Sequence, residues 1–268
     1  MLSPDDQTLN GLGFKDYHLT GELKPIIGRQ GNKYTARHII LKYIPESEIY
    51  IEPFLGSGAI FFSKPKSKIN ILNDLNKPTI DTLKLIQKAP NDKSLYPSDL
   101  DSISKLESFI GKNYKDIPSQ ITKYRIEQMG GYMGQPVRKN RKVIVLRNPF
   151  STLQHIDLYQ DKLKGVKLLS QDYEKVIKAY DSPKAFIYLD PPYELTLPNN
   201  ESGYAGGDFD FERLNKVLHN IKGKFLMSLN DSPSIKKLFS DFYIKEVNIP
   251  INRNPKFRKE VLISNFKI

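Results

Sequence analysis

The sequence contains no cysteine. That excludes disulfides, thiolate zinc sites and cysteine nucleophiles. Its four histidines, His18, His38, His155 and His219, are scattered singly. They form no metal-ligand spacing, so no metal is expected. No run of about 18 apolar residues occurs, so no membrane-spanning helix is expected. The opening stretch MLSPDDQTLNGLG is polar and acidic, unlike a secretory signal or a basic transit peptide. A cytoplasmic or otherwise intracellular location is therefore expected. Internal repeats and low-complexity segments are also missing.

What the chain has in excess is positive charge. Lys and Arg number 41 against 30 Asp and Glu, a formal net charge of +11 over 268 residues. Such an excess favours a polyanionic partner, either a nucleic acid or an anionic membrane surface. The length suits one large α/β domain carrying an insertion.

Apolar runs alternate with amphipathic stretches in the front and back of the chain. KYTARHIILKYI, from Lys33 to Ile44, has helical periodicity. EIYIEPF and KINIL are short strands, AIFFSK starts a helix, and KPTIDTLKLIQKA is helical with Pro78 in its first turn. From about 90 to 165 the sequence is polar and broken by Pro and Gly. The alternation resumes with GVKLLSQDY, AFIYLDPPY, FERLNKVLHNI, KFLMSLND and SPSIKKLFS. YIKEVNIPI and EVLISNF read as a closing hairpin. The expected architecture is a discontinuous α/β sheet domain over 1–76 and 166–268, with a mostly helical insertion over 77–165.

In an open α/β sheet, ligands bind beyond the carboxyl ends of the strands. The first such end is EPFLGSG, where Gly56 and Gly58 permit a tight turn and close backbone approach. The second is NDLN, where Asp74 follows Gly56 by 18 positions. That is near the spacing at which an acid accepts from ribose hydroxyls, although a helix cap is an equal alternative. Together these ends point to an adenosine-containing cofactor, NAD-like or S-adenosylmethionine. The third is SQDYEKV, where Asp172 can accept from an adenine amine and Tyr173 can pack on its ring, or Asp172 can cap a helix. The fourth is AFIYLDPPYEL. Pro191 and Pro192 lack backbone donors. The turn therefore offers acceptors, the Asp190 carboxylate and the Pro191 carbonyl, beside the flat ring of Tyr193. That combination suits a planar group bearing NH₂, whose lone pair it can turn toward an electrophile.

The ordered set PFLGSG, insertion, DPPY resembles the alpha-group, Dam-type adenine-specific DNA methyltransferases. EPFLGSGAIFF, including Phe54, resembles their cofactor loop, LNDLN their ribose-binding acid, and SQDYEKVI their adenine-contacting acid. EVLISNF resembles their closing strand. GRQGNKY departs from the family's N-terminal cofactor motif, aromatic-Gly-Gly-Lys: Arg29 stands in the aromatic position and Asn32 in that of the second Gly, while Lys33 is kept, and the resemblance makes Arg29 and Lys33 cofactor-binding candidates. The resemblance implies a Rossmann-like S-adenosylmethionine-dependent methyltransferase sheet with an inserted target-recognition region. Its substrate would be a flipped adenine in double-stranded DNA. A cognate restriction endonuclease is the other partner it allows.

The insertion suits that partner. Residues 121 to 150 hold seven Lys or Arg (Lys123, Arg125, Arg138, Lys139, Arg141, Lys142, Arg147) and one acid, Glu127. RKNRKVIVLRNPFS loosely resembles the family's basic hairpin. Arg138, Asn140 and Arg141 are candidates for base edges, Lys139 and Lys142 for phosphates, with Arg125 and Arg147 nearby in sequence. Tyr204, in the Gly-rich loop after DPPY, is a candidate to close over the base, and Asn230 and Asp231 end the next strand. Four other readings stay open. A NAD-dependent oxidoreductase leaves DPPY unexplained. A catalytically impaired DNA-binding protein of the same fold, an RNA substrate and a cytosine amine are the rest.

Overall fold

The run Ala185–Leu189 is buried along its whole length and forms the central strand of a seven-stranded sheet. Continuous burial is what a parallel strand covered on both faces requires, and an uninterrupted apolar run supplies it. The structure, a computed structural model, describes residues 22–27, 33–95, 116–117, 120–121, 155–193, 209–250 and 257–268.

The strands are β1 (Ile49–Glu52), β2 (Ile69–Asn73), β3 (Lys167–Leu169), β4 (Ala185–Leu189), β5 (Lys224–Asn230), β6 (Tyr243–Pro250) and β7 (Phe257–Ser264). Their order is β3-β2-β1-β4-β5-β7-β6. The first five are parallel, while β7 runs antiparallel between β5 and β6. The chain reverses direction in the sheet between β1 and β4, the switch point at which open α/β sheets bind ligands.

Helices follow the expected segments: α1 (Arg37–Ile40), α2 (Ala59–Ser63), α3 (Lys77–Lys88), α4 (Ile156–Leu163), α5 (Tyr173–Tyr180), α6 (Phe211–Leu218) and α7 (Pro233–Leu238). Four have side-chain caps. Asn76 accepts from Thr79 N–H, Asp172 from Glu174, Asp210 from Arg213 and Ser232 from Ile235. Each satisfies a donor that the first helical turn leaves unpaired. The periodicity over Lys33–Ile44 overstated α1, which covers four residues and passes into a 3-10 turn, Leu41–Tyr43. Ile44 is extended at its end, as a residue before proline must be, since Pro45 crowds the helical region.

The chain divides into two units. One comprises 1–32, 57–65 and 76–165; the other comprises 33–56, 66–75 and 166–268. The second contains every strand among the described residues. On one sheet face its core gathers Ile51, Ile71, Ile187, Leu189, Met227, Leu229, Val261 and Ile263 with residues of α5, α6 and α7. In the first unit α3 and α4 are tied by side chains to backbone. Gln87 Nε2 donates to Leu163 O at 2.9 Å and Gln160 Nε2 to Ala89 O at 2.5 Å. Tyr159 is fully buried, packs edge-on to Phe62 at 5.7 Å and donates to Lys24 O at 2.8 Å.

The loop into β5 shows how tightly the sheet is built. Asp181 accepts from Lys222 N–H at 2.7 Å and Gly223 N–H at 3.0 Å, and Asn265 Nδ2 donates to Gly223 O at 2.9 Å. A Cβ at Gly223 would stand 2.4 Å from Ala185 O and 2.7 Å from Ser182 O. Both are backbone atoms and neither can rotate away. Gly223→Ala is therefore expected to lower unfolding free energy by about 1–3 kcal/mol, the usual range for overpacking. Urea denaturation measures it, and an unchanged midpoint would show that the loop relaxes freely.

Candidate active site

The carboxyl ends of the parallel strands carry the unusual residues, and side-chain amides and carboxylates hold them together. Asn73, at the end of β2, is 1% exposed. Its Nδ2 donates to Pro53 O and Gln171 O, both at 2.9 Å, and its Oδ1 accepts from Gln171 N–H at 2.9 Å. Beside it, Asp74 Oδ2 accepts from Gly56 N–H at 2.7 Å. The helix cap here is Asn76, so the alternative in which Asp74 caps α3 falls away. Gly56 has φ +54°, in the left-handed region, and open space where a Cβ would be. Gly58 is also left-handed, with φ +71°. The spacing of Gly56 and Asp74 thus has a local cause: the acid fixes the turn that the glycine makes possible.

Asp172 has partners within the chain. Its Oδ1 accepts from Glu174 N–H at 3.0 Å, and both oxygens take the Arg213 guanidinium, at 2.8 and 3.1 Å. This is the helix-cap alternative, reinforced by an ion pair. Tyr173 packs on Phe54 at 5.1 Å between ring centroids and on Phe209 at 5.8 Å. Its hydroxyl has no hydrogen-bond partner among the described residues, and burial pushes the phenol up to about 12.

The other half of the rim is a buried charge cluster. Lys33 is 2% exposed. Its ammonium lies 3.2 Å from Asp190 Oδ1 and 3.2 Å from Glu260 Oε2, and donates to the Tyr193 hydroxyl. Tyr193 donates in turn to Glu260 Oε1 at 2.7 Å, which Arg258 Nη2 meets at 2.5 Å. Lys33, grouped with cofactor residues on sequence, thus lies against the DPPY turn. Burial pushes the Asp190 carboxyl up to about 6; Lys33 pulls it down and Glu260 pushes it further up. Glu260 is itself penalised by burial, but Lys33 and Arg258 outweigh this and hold it below the usual carboxylate range. Burial carries the Tyr193 phenol far above its ordinary value, with Asp190 and Glu260 adding to it.

Glu260 is fully buried, and sequence reasoning missed it. Because β7 is antiparallel to β5, its early residues lie at the late end of β5, and Glu260 faces Asn230 in the register. Glu52 was also missed. It ends β1, is 2% exposed and accepts from Tyr50 OH at 2.8 Å. A signal existed in YIE, YLD and SLN, where polar residues two apart end three strands. Residues two apart share a sheet face. The register puts Tyr50, Glu52, Tyr188, Ser228, Asn230 and Glu260 on the face opposite the apolar core. Tyr188 OH and Ser228 Oγ are 2.8 Å apart, and Asn230 Oδ1 is buried with no partner among the described residues. Asp231 pairs with Lys236 at 2.7 Å. Arg29 and Tyr204, and the candidates Arg125, Arg138, Lys139, Asn140, Arg141, Lys142 and Arg147, lie outside the described residues.

This strand order, with a glycine turn and acid at one set of strand ends and an acceptor-lined DPPY turn at the central strand, defines a Rossmann-like methyltransferase fold. The chain belongs to the family of D12 class N6 adenine-specific DNA methyltransferases, whose model matches residues 30–129 and 138–249. It is 25% identical over 232 residues to the DNA N-6-adenine-methyltransferase of Escherichia phage P1, which covers 79% of this chain and 30% of that longer protein. It is 25% identical over 235 residues to the type II methyltransferase M.CviBI of Paramecium bursaria Chlorella virus NC1A, covering 82% and 88% of the two chains. It is 23% identical over 258 residues to the DNA adenine methylase of Vibrio cholerae serotype O1, covering 86% and 91%. Among the described residues no helix is long and apolar enough to cross a membrane.

Asp74→Ala leaves the Gly56 N–H without its acceptor. The expected loss of stability is about 1.5–3 kcal/mol, the usual worth of a hydrogen bond to a charged group, here a part-buried one. Chemical denaturation of the variant checks it, and a wild-type midpoint would show that the turn stands without the acid.

Proposed function

We propose that this chain transfers the methyl group of S-adenosylmethionine to the exocyclic amine of an adenine flipped out of double-stranded DNA at a short recognition site. The observation that carries the proposal is the corner after β4: a carboxylate, a donor-free Pro-Pro turn and an aromatic ring, fixed by buried charges. A base within a duplex cannot reach a strand-end turn, hence the flipping.

The residues at the other strand ends suit the cofactor. Gly56 leaves its backbone open to close approach, and Asp74 supplies a carboxylate beside it. Leu75, 78% exposed, adds an apolar side chain at the same rim. Phe54 and Tyr173 supply rings nearby in the same unit. These residues would hold the adenosine part. Bound S-adenosylmethionine would supply an electrophilic methyl group on a sulfonium.

Asp190 and the Pro191 carbonyl accept the two amine hydrogens and Tyr193 stacks on the base. Gripping both hydrogens weakens conjugation of the nitrogen lone pair with the ring. Transfer of that methyl group, with the sulfonium as leaving group, would make the amine nitrogen cationic. Asp190 would stabilise that charge and take the released proton. A carboxyl near 6 is a better proton acceptor than an ordinary one.

The insertion over 77–165 is the proposed target-recognition region. Lys139→Ala and Lys142→Ala are expected to weaken binding to all duplexes alike. Each should reduce the slope of log affinity against log salt by about one. Arg138→Ala or Arg141→Ala should instead relax sequence choice at one position. Salt titrations and methylation of a substrate library separate the two outcomes.

The test of activity is incubation with duplex DNA and labelled S-adenosylmethionine, followed by nuclease digestion and mass spectrometry. N6-methyladenine is expected; methylated cytosine, or methylation of RNA alone, would overturn the assignment. The type II relatives allow a further partner, a restriction endonuclease blocked by the modification. Asp190→Ala is expected to lower the rate at least about 100-fold. In the wild type Asp190 must be ionised to accept. Thus kcat/KM should fall about tenfold per pH unit below about 6 and level off above it. A profile flat from pH 5 to 8 would remove Asp190 from that role.

A further inference from the structure

We infer that Glu260 is a positioning residue for methyl transfer, holding the Tyr193 ring and the Lys33 ammonium in place beside Asp190. The inference rests on the methyltransferase reading above. The sheet itself needs no charge at this position. Glu260 meets Asn230 on one side and Val247 on the other through the backbone ladder. An apolar residue would serve that ladder without the penalty of burying a carboxylate. The charge is instead matched to the site. Oε1 accepts from the Tyr193 hydroxyl at 2.7 Å and from Arg258 at 2.5 Å, and Oε2 accepts from Lys33 at 3.2 Å.

The consequence for Asp190 follows from charge balance. The groups around it are Lys33, Arg258, Glu260, Tyr193 and Tyr188. With both acids ionised, two cations face two anions. Lys33 stands between Glu260 and Asp190 at equal distances of 3.2 Å. Glu260 therefore shares the ammonium and keeps it from becoming the exclusive partner of Asp190, whose lone pairs the substrate amine needs. It also gives the Tyr193 hydroxyl a fixed acceptor, and so fixes the plane on which the base stacks.

The test uses the full chain in four forms: wild type, Glu260→Gln, Tyr193→Phe and the double variant. Single-turnover methylation, calorimetric S-adenosylmethionine affinity, thermal unfolding and the pH profile are read for each. Glu260→Gln is expected to slow methylation by about 100-fold, the scale of a misplacement near 1 Å, with cofactor affinity within about threefold of wild type. Tyr193→Phe is expected to slow it as well. The double variant should be no slower than the slower single one, because both changes break the same contact. Loss of the Glu260 charge should also move the acidic limb of the profile to lower pH, since a negative neighbour and a competitor for Lys33 both vanish. A wild-type rate for either single variant, losses that multiply, or an unmoved acidic limb would overturn the inference. If Glu260→Gln does not fold, the rate of Tyr193→Phe decides alone. If the wild-type chain methylates no adenine, the functional reading fails instead.

Discussion

Asn73 is the fastening on which the cofactor side of the rim depends. Where parallel strands end, their last backbone groups leave the ladder and need other partners. One buried amide supplies three, reaching the ends of β1 and β3 from the end of β2. Leu55 N–H donates to Asn73 O at 2.8 Å and Asp74 N–H to Leu169 O at 3.2 Å, extending the same stitching through the main chain. Only with these ends fixed can Asp74 meet the Gly56 amide. The glycine turn is thus held by side chains from another strand.

The other half of the rim is held by charge. A buried carboxylate without a partner is costly, and two together are worse. Lys33 and Arg258 make the pair of Asp190 and Glu260 tolerable, and the phenol of Tyr193 closes the set. This cluster is a poor way to stabilise a sheet, because well-packed apolar residues usually do as well or better. Its Glu260 lies on the sheet face opposite the core that Tyr193 packs against. Both faces of the sheet are buried, Phe186, Leu226 and Leu262 on this one included, and the polar residues are confined to its carboxyl end.

The elements were legible because each has a local cause. The apolar run at β4, the cap at Asp172 and Pro78 in the first turn of α3 act within a few residues of themselves, whereas the cap of α3 is Asn76 and not the alternative Asp74. DPPY and the Gly56–Asp74 spacing were legible for the same reason. The roles that depend on distant partners were not. Asp172 was legible as a helix cap, but its ion pair with Arg213, 41 positions away, is invisible in a local motif. The contacts of Lys33 with Tyr193 and Glu260 were not legible, because those partners lie 160 and 227 positions away. Glu260 looked like an ordinary strand charge until the antiparallel register of β7 brought it beside the end of β5.

That register also explains why the site needs the last strand of the chain. The parallel strands can present only their carboxyl ends at the rim, so each contributes its final residues and the turn that follows. A strand inserted in the opposite sense contributes its early residues instead. Arg258 and Glu260 thus reach the rim from within a strand, Glu260 paired on both sides by β5 and β6 and Arg258 by β6. A side chain on such a strand is held more rigidly than one on a loop. The corner after β4, whose two prolines donate no backbone hydrogen bond, takes its partners from that strand and from Lys33. The Tyr193 hydroxyl is thereby oriented by a carboxylate whose backbone the sheet fixes.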